Sequence, residues 1–190
     1  MKFISSYYLQ LRIAFLLFAF HLTPLLAFNQ QYTEYELKAA YLYNFGKFVQ
    51  WPEQTFKNAT DPFVIGIYGT NPFGEVLQQT IQNKTLQNRP VIIISITNPQ
   101  DAATCNILFI SKTNKLELNQ IFQALANKPV LTIGDNISEF CQMGGIINFT
   151  VQHSQKRFEI NNKASARVQL IISSKLLSLS RIVTEDEIKF

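Results

Sequence analysis

Nucleophilic catalysis needs a base beside the nucleophile, and this chain has few bases to offer. Of its two histidines, one lies in the first 27 residues; the other is His153. His153 falls between two expected strands, near their turn, where an ordinary exposed side chain is expected. No G-x-S-x-G elbow occurs. Cys105, Cys141 and His153 are the only soft metal ligands after residue 27, and their spacing fits no zinc pattern. The expectation is therefore no catalytic residue, no metal and no cofactor. The stretch Gly69-Thr70-Asn71-Pro72-Phe73-Gly74 leaves an expected strand and opens an expected helix. Backbone donors and the helix dipole favour an anion at such a place. No Gly-Lys-Ser/Thr follows, so it is not a nucleotide P-loop, and Pro72 removes one donor. Two readings stay open: a tight strand-to-helix turn, or a small-ligand cleft at the carboxyl ends of the strands. In the second, Gly69, Thr70, Asn71 and Gly74 would line the cleft.

Other polar residues stand out by position. Asn44 lies on the expected apolar face of a helix, and a buried amide needs partners. Structural ties to neighbouring backbone are the simpler reading, a ligand or interface contact the sharper one. Trp51 reads as a core or interface anchor whose indole N–H requires an acceptor if buried. Arg157 and Glu159 alternate with Phe158 and Ile160, so they share one face of a strand, where structural pairing is the first expectation.

The compartment is read from the first 27 residues. Lys2 gives a positive start, Ile13 to Leu22 is apolar apart from His21, and Ala27 supplies a small residue for cleavage. The apolar run is short for a membrane span, which needs roughly 20 residues, and fits a secretory signal. An uncleaved anchor is the alternative, because Leu25 stands where a small residue is preferred. Cleavage after Ala27 would leave residues 28–190 as a single exported domain. Without Lys2 and Arg12 the balance is 15 basic to 13 acidic residues, and no Lys/Arg run exists. A nucleic-acid binder carries a dense basic patch, so that class is excluded. Sixteen Phe and 47% apolar residues exclude disorder. No second segment is long enough to cross a membrane, so the cleaved chain is expected not to insert into one.

The elements that must position these residues follow from periodicity and caps. Thr33 to Gln50 reads as a helix opened by a Thr33/Glu36 capping box. Its inward face is expected to be Leu37, Ala40, Tyr41, Asn44, Phe45 and Phe48, and Pro52 ends it. Strands are expected at 63–68, 91–97, 106–111 and 130–134. Helices are expected at 72–83, with Asn71 as cap and Pro72 in first position, and at 115–126. A short helix follows at 137–143. Then come a hairpin, 146–152 with 156–160, a helix capped by Asn161 or Asn162, an extended break at 170–172 before caps at Ser173 or Ser174, and a frayed tail from Glu185. The central strands are apolar runs, the mark of a sheet covered on both faces. Alternation of strand and helix implies right-handed crossovers and parallel pairing. The fold class is α/β, a three-layer sandwich with a mostly parallel central sheet and a C-terminal antiparallel hairpin. In that frame Cys105 and Cys141 fall towards the same edge of the sandwich. A disulfide and two buried free thiols both remain open, the bridge needing Cα atoms within roughly 7 Å.

Four stretches occur in order: KAAYLYNFGKFVQWP (38–52), GGIINF (144–149), RFEIN (157–161) and SSKLLSLSRIV (173–183). On these the chain resembles the YfiR-like family of exported bacterial proteins. The resemblance implies a periplasmic α/β regulatory protein that is not an enzyme. It implies a partner, the periplasmic sensor region of an inner-membrane diguanylate cyclase. Repression of that cyclase would lower cyclic di-GMP and biofilm formation. A small-molecule sensor or binding protein acting on another membrane sensor, such as a sensor kinase, is the alternative, and a hydrolase is the weakest reading. Self-association stays open. Family members can carry two disulfide pairs; with two cysteines in this chain, at least one pair is missing and redox control is in doubt.

Overall fold

A computed structural model describes residues 33–152 and 155–188, with backbone alone at 151, 152 and 155–157. The expected leader and His153 lie outside the described residues. Helix α1 (Glu34–Phe48) opens with the expected box: Thr33 Oγ1 accepts from Glu36 N and Glu36 Oε2 accepts from Thr33 N at 2.6 Å. It stops at Phe48 rather than Gln50. Val49 and Gln50 form a short strand, β1 (Val49–Gln50), paired antiparallel with β9 (Ile171–Ile172). The buried face of α1 also differs from expectation. Lys38, Ala39, Leu42, Phe45 and Gly46 are buried, whereas Leu37 is 39% exposed and Asn44 is half-buried. Two things turn the helix by one position. Leu86 packs against Gly46, where a Cβ would meet its Cδ1 at 2.5 Å, and Lys38 is drawn inward by a buried aspartate.

The main sheet contains β2 (Phe63–Tyr68), β3 (Thr85–Leu86), β4 (Arg89–Ile96), β5 (Ile107–Ile110), β6 (Leu131–Asp135), β7 (Ile147–Gln152), β8 (Gln155–Ile160) and β10 (Arg181–Ile182). Their order is β10-β8-β7-β6-β5-β2-β4-β3. All neighbours are parallel except β7 with β8 and β3 with β4. The chain is thus α/β with a mostly parallel sheet and a C-terminal antiparallel hairpin. Ile107 to Ile110 are all fully buried, as a strand covered on both faces requires. One face packs against α1, α2 (Val76–Ile81), α4 (Asn162–Arg167) and α5 (Ser174–Leu177), around Phe45, Phe63, Phe109 and Phe158. The other packs against the 3₁₀ turn Pro99–Thr104 and α3 (Lys115–Ala124), around Leu108, Ile121, Phe140 and Cys141.

Three local expectations change. The segment 137–143 is a run of turns, not a helix, with Glu139 at φ +57°. Asn71 caps a turn, accepting from Phe73 N at 2.9 Å; the helix proper begins at Val76. The tail is not frayed at Glu185. Residues Glu185–Glu187 form a 3₁₀ turn with its own Thr184/Glu187 capping box. The remaining caps resolve to Asn161, which accepts from Ala164 N at 2.9 Å, and Ser173, which accepts from Leu176 N at 3.3 Å. Among the described residues no helix is long and apolar enough to cross a membrane.

Candidate functional site

The four stretches that carried the resemblance converge in space. In the hairpin, Phe149 faces Phe158 and Asn148 faces Glu159. Strand alternation sends the two phenylalanines towards α1. There the Phe158 ring lies 5.5 Å from Tyr41 and 5.2 Å from Phe45, and the Phe149 ring 5.9 Å from Phe45. The same alternation sends Asn148 and Glu159 to the opposite face, where both are buried.

Three of the stretches build a polar seam on that face. Asn148 Nδ2 donates to Ile137 O at 2.9 Å and to Glu159 Oε1 at 3.3 Å, and its Oδ1 accepts from Ile137 N at 3.1 Å. Parallel pairing of β10 with β8 sets Arg181 beside Glu159. The guanidinium donates to Glu159 Oε2 through Nη2 and to Glu187 Oε1 through Nη1 at 2.7 Å. Glu187 also accepts from Thr184 N at 2.9 Å. That backbone donor, followed by Arg181, pulls the Glu187 carboxyl down to about 2. Hydrogen bonds to Glu187 and then Glu159 hold Arg181 protonated more firmly than usual. The seam opens on a cavity of about 720 Å³ whose walls include Asn136, Ser138, Glu139, Gln142, Thr150 and Asp186. Gln142 Oε1 and Arg181 Nε are buried without a hydrogen-bond partner among the described residues. Of the walls, Glu139, Asn148, Glu159 and Glu187 are tied into ion pairs and hydrogen bonds. Such an arrangement presents fixed charge to a bound molecule, and among the described residues its lining holds neither cysteine nor histidine.

A second buried charge cluster sits at the end of β6. Lys38, 7% exposed, donates to Asp135 and to Glu34 Oε1, the latter at 2.6 Å. Tyr35 Oη donates to Asp135 Oδ2 at 3.3 Å. Burial disfavours the Lys38 charge, but its hydrogen bonds to Asp135 and Glu34 outweigh this and raise its pKa. Sequence reasoning missed this site, because a lysine on a helix was placed on the outward face. The available signal was its spacing: Lys38 precedes Ala39, Leu42 and Phe45 on one stripe.

The residues singled out earlier distribute as follows. Gly69, Thr70, Asn71 and Gly74 are exposed, and the described cavities lie elsewhere. Gly69 has φ +88°, and a Cβ there would meet Ser111 Oγ at 2.9 Å. Between the exposed residues, Phe73 is 2% exposed and plugs the core against Phe109, 4.8 Å away. Trp51 is half-buried; its Nε1 donates to Pro129 O at 2.9 Å and its ring meets Phe63 edge-on at 5.0 Å. Glu159 belongs to the seam, with Arg181 and Asn148 as partners, whereas the Arg157 side chain lies outside the described residues. Of the two readings left open for the cysteines, the structure has the buried free thiols, Cys105 and Cys141. The Cys105 sulfur lies over Gly66 of β2, while Cys141 Sγ donates to Ile146 O and Glu159 O at β7 and β8. At least three strand spacings separate these places, about 14 Å. Burial pushes the Cys105 thiol up to about 11 and that of Cys141 well above its usual value.

A solved structure with partial likeness is the ABC domain in complex with L-Trp from Streptococcus pneumonia. It is 9% identical, matches 64% of this chain and 55% of its own length, and has a TM-score of 0.44. The chain thus spans about half the length of that structure. The sequence profile described as YfiR/HmsC-like matches residues 35–181. That range runs from the first turn of α1 through the Arg181 of the seam, so the chain belongs to the YfiR/HmsC-like family.

Proposed function

We propose that this protein is an exported regulator, not an enzyme, that binds the periplasmic sensor region of an inner-membrane diguanylate cyclase and represses it. The observation that carries the reading is the convergence of the four family stretches on one aromatic cluster and one polar seam. Committed ion pairs beside an open cavity suit recognition better than turnover. Deleting the gene is expected to raise cyclic di-GMP, and the purified protein is expected to retain a cyclase from solubilised membranes. An unchanged nucleotide level in cells that had expressed the protein would overturn repression. Export predicts Phe28 at the N-terminus of the protein in the periplasmic fraction; intact Met1 in the membrane fraction would favour an anchor.

One observation favours a second reading, a small-molecule sensor. Gln142, whose Oε1 is buried and unpartnered among the described residues, lines the 720 Å³ cavity. This reading predicts a ligand-dependent rise in Tm.

A further inference from the structure

A different surface carries an inference about how a partner is held. At the amino ends of the parallel strands two cavities adjoin, of about 440 and about 780 Å³. They share Asn127, Lys128, Val130, Arg167 and Val168 as walls, so together they form one groove between the C-terminal ends of α3 and α4. The smaller part has an apolar floor of Phe122, Leu125, Val130, Met143, Ile146 and Val168. The larger part runs beneath Pro52 to Lys57, beside the Trp51–Pro129 contact.

The charge along this groove has one sign. Lys57, Lys128 and Arg167 line it, and among the described residues no acidic side chain does. Two helix C-termini open here, each worth at most about half a negative charge, so the charges of Lys57 and Lys128 outweigh them. The cavity of the polar seam is the opposite: among the described side chains, Glu139, Glu159, Asp186 and Glu187 line it and no lysine or arginine does. The groove rim is also shaped. Asn127 and Gln169, one beyond each helix, hold φ of +60° and +59°, and Gln169 Oε1 accepts from Gln54 Nε2 at 3.2 Å. Thr55 Oγ1, on the wall, is buried without a hydrogen-bond partner among the described residues.

We infer that this groove receives an extended acidic segment of a partner protein, with an apolar side chain seated on the floor and flanking carboxylates against Lys57 and Lys128. The inference rests on the reading of the protein as a regulator that acts through a protein partner. Apolar side chains in a pocket supply most of the affinity of such contacts, and rim charges supply steering and specificity.

The test uses the purified protein and a fluorescein-labelled twelve-residue peptide of glutamate and aspartate around one Leu-Phe pair. Anisotropy is expected to report saturable binding that weakens as salt rises. The double variant Lys57→Glu, Lys128→Glu is expected to lose about tenfold or more in affinity, while Lys112→Glu, on an exposed residue outside the groove, keeps it. Both lysines of the double variant are exposed, so its circular dichroism should match the parent. Equal binding of a peptide without the Leu-Phe pair would overturn the inference, because the floor would then be unused. So would unaltered binding by the double variant, or a concentration-dependent dimer that the double variant abolishes, which would make a second copy the occupant. A membrane pull-down separates this inference from the regulatory reading. If the parent and the double variant retain the cyclase equally, the groove is wrong and the regulator stands. If the parent retains none, the regulator falls and the peptide titration alone decides the groove.

Discussion

At the scale of residues, the seam shows what a buried carboxylate requires. Glu159 is 5% exposed, and a charge so placed is tolerated only when paired and hydrogen-bonded. Asn148 and Arg181 do this, and Glu187 fixes Arg181 from its other side. Glu187 has a depressed pKa of about 2 against an ordinary 4.5. The stability it contributes is therefore present above pH 4.5 and is lost as the pH falls towards 2. The effect is reduced by solvent, since the side chain is 33% exposed. The Tm of the parent is expected to fall more steeply between pH 4.5 and 2.5 than that of Glu187→Gln. Parallel curves would remove Glu187 from the acid response. This network was only half legible beforehand. Glu159 was singled out with Arg157 as neighbour, because residues two apart on a strand share a face. Arg181 is 22 residues away, and only the pairing of β10 with β8 brings it there. Lys38 was not legible at all, since its partner Asp135 is 97 residues distant.

At the scale of elements, caps read well and faces read poorly. The Thr33/Glu36 box and the caps at Asn161 and Ser173 are local chemistry, complete within four residues. The inward face of α1 depends on what it meets. Its sequence is aromatic on several sides, so periodicity alone did not choose between adjacent stripes. The segment 137–143 failed for a related reason. Its apolar spacing is helical, but its task is to bury Phe140 and Cys141 under β7 while Ile137 hydrogen-bonds to Asn148. Gly145 makes that turn sterically feasible: a Cβ there would lie 2.2 Å from Phe140 Cε1, and Phe140 is fully buried. The ring has no space to retreat into. Gly145→Ala is therefore expected to destabilise the fold by about 1–3 kcal/mol, the usual cost of overpacking, read from urea unfolding. A change under about 0.5 kcal/mol would show that the ring adapts and that the contact does not constrain the turn.

At the scale of the whole molecule, the layer architecture was legible because apolar runs alternate with amphipathic helices. The strand order was not. The segments that became β2, β5 and β6 all read as interchangeable apolar runs, and nothing local says that β2 lies between β4 and β5. The order has a consequence at the edge. Among the described residues the only partner of β4 on its outer side is β3, which pairs with Arg89 and Pro90 alone. From Val91 to Ile96 that side has no strand neighbour among the described residues. This stretch, Val-Ile-Ile-Ile-Ser-Ile, carries no charge, and Ile92 is 41% exposed. Native edges are usually blunted by lysine, proline or bulges, and here only Pro90 serves, at one end. The exposed row of backbone donors and acceptors is a template for another strand during folding. Ile92→Lys places a charge there at a position already half in solvent, so the native fold should change by less than about 1 kcal/mol. Light scattering after dilution from urea is expected to rise more slowly for this variant than for the parent. Equal rates at matched stability would show that the edge of β4 is not where chains first associate.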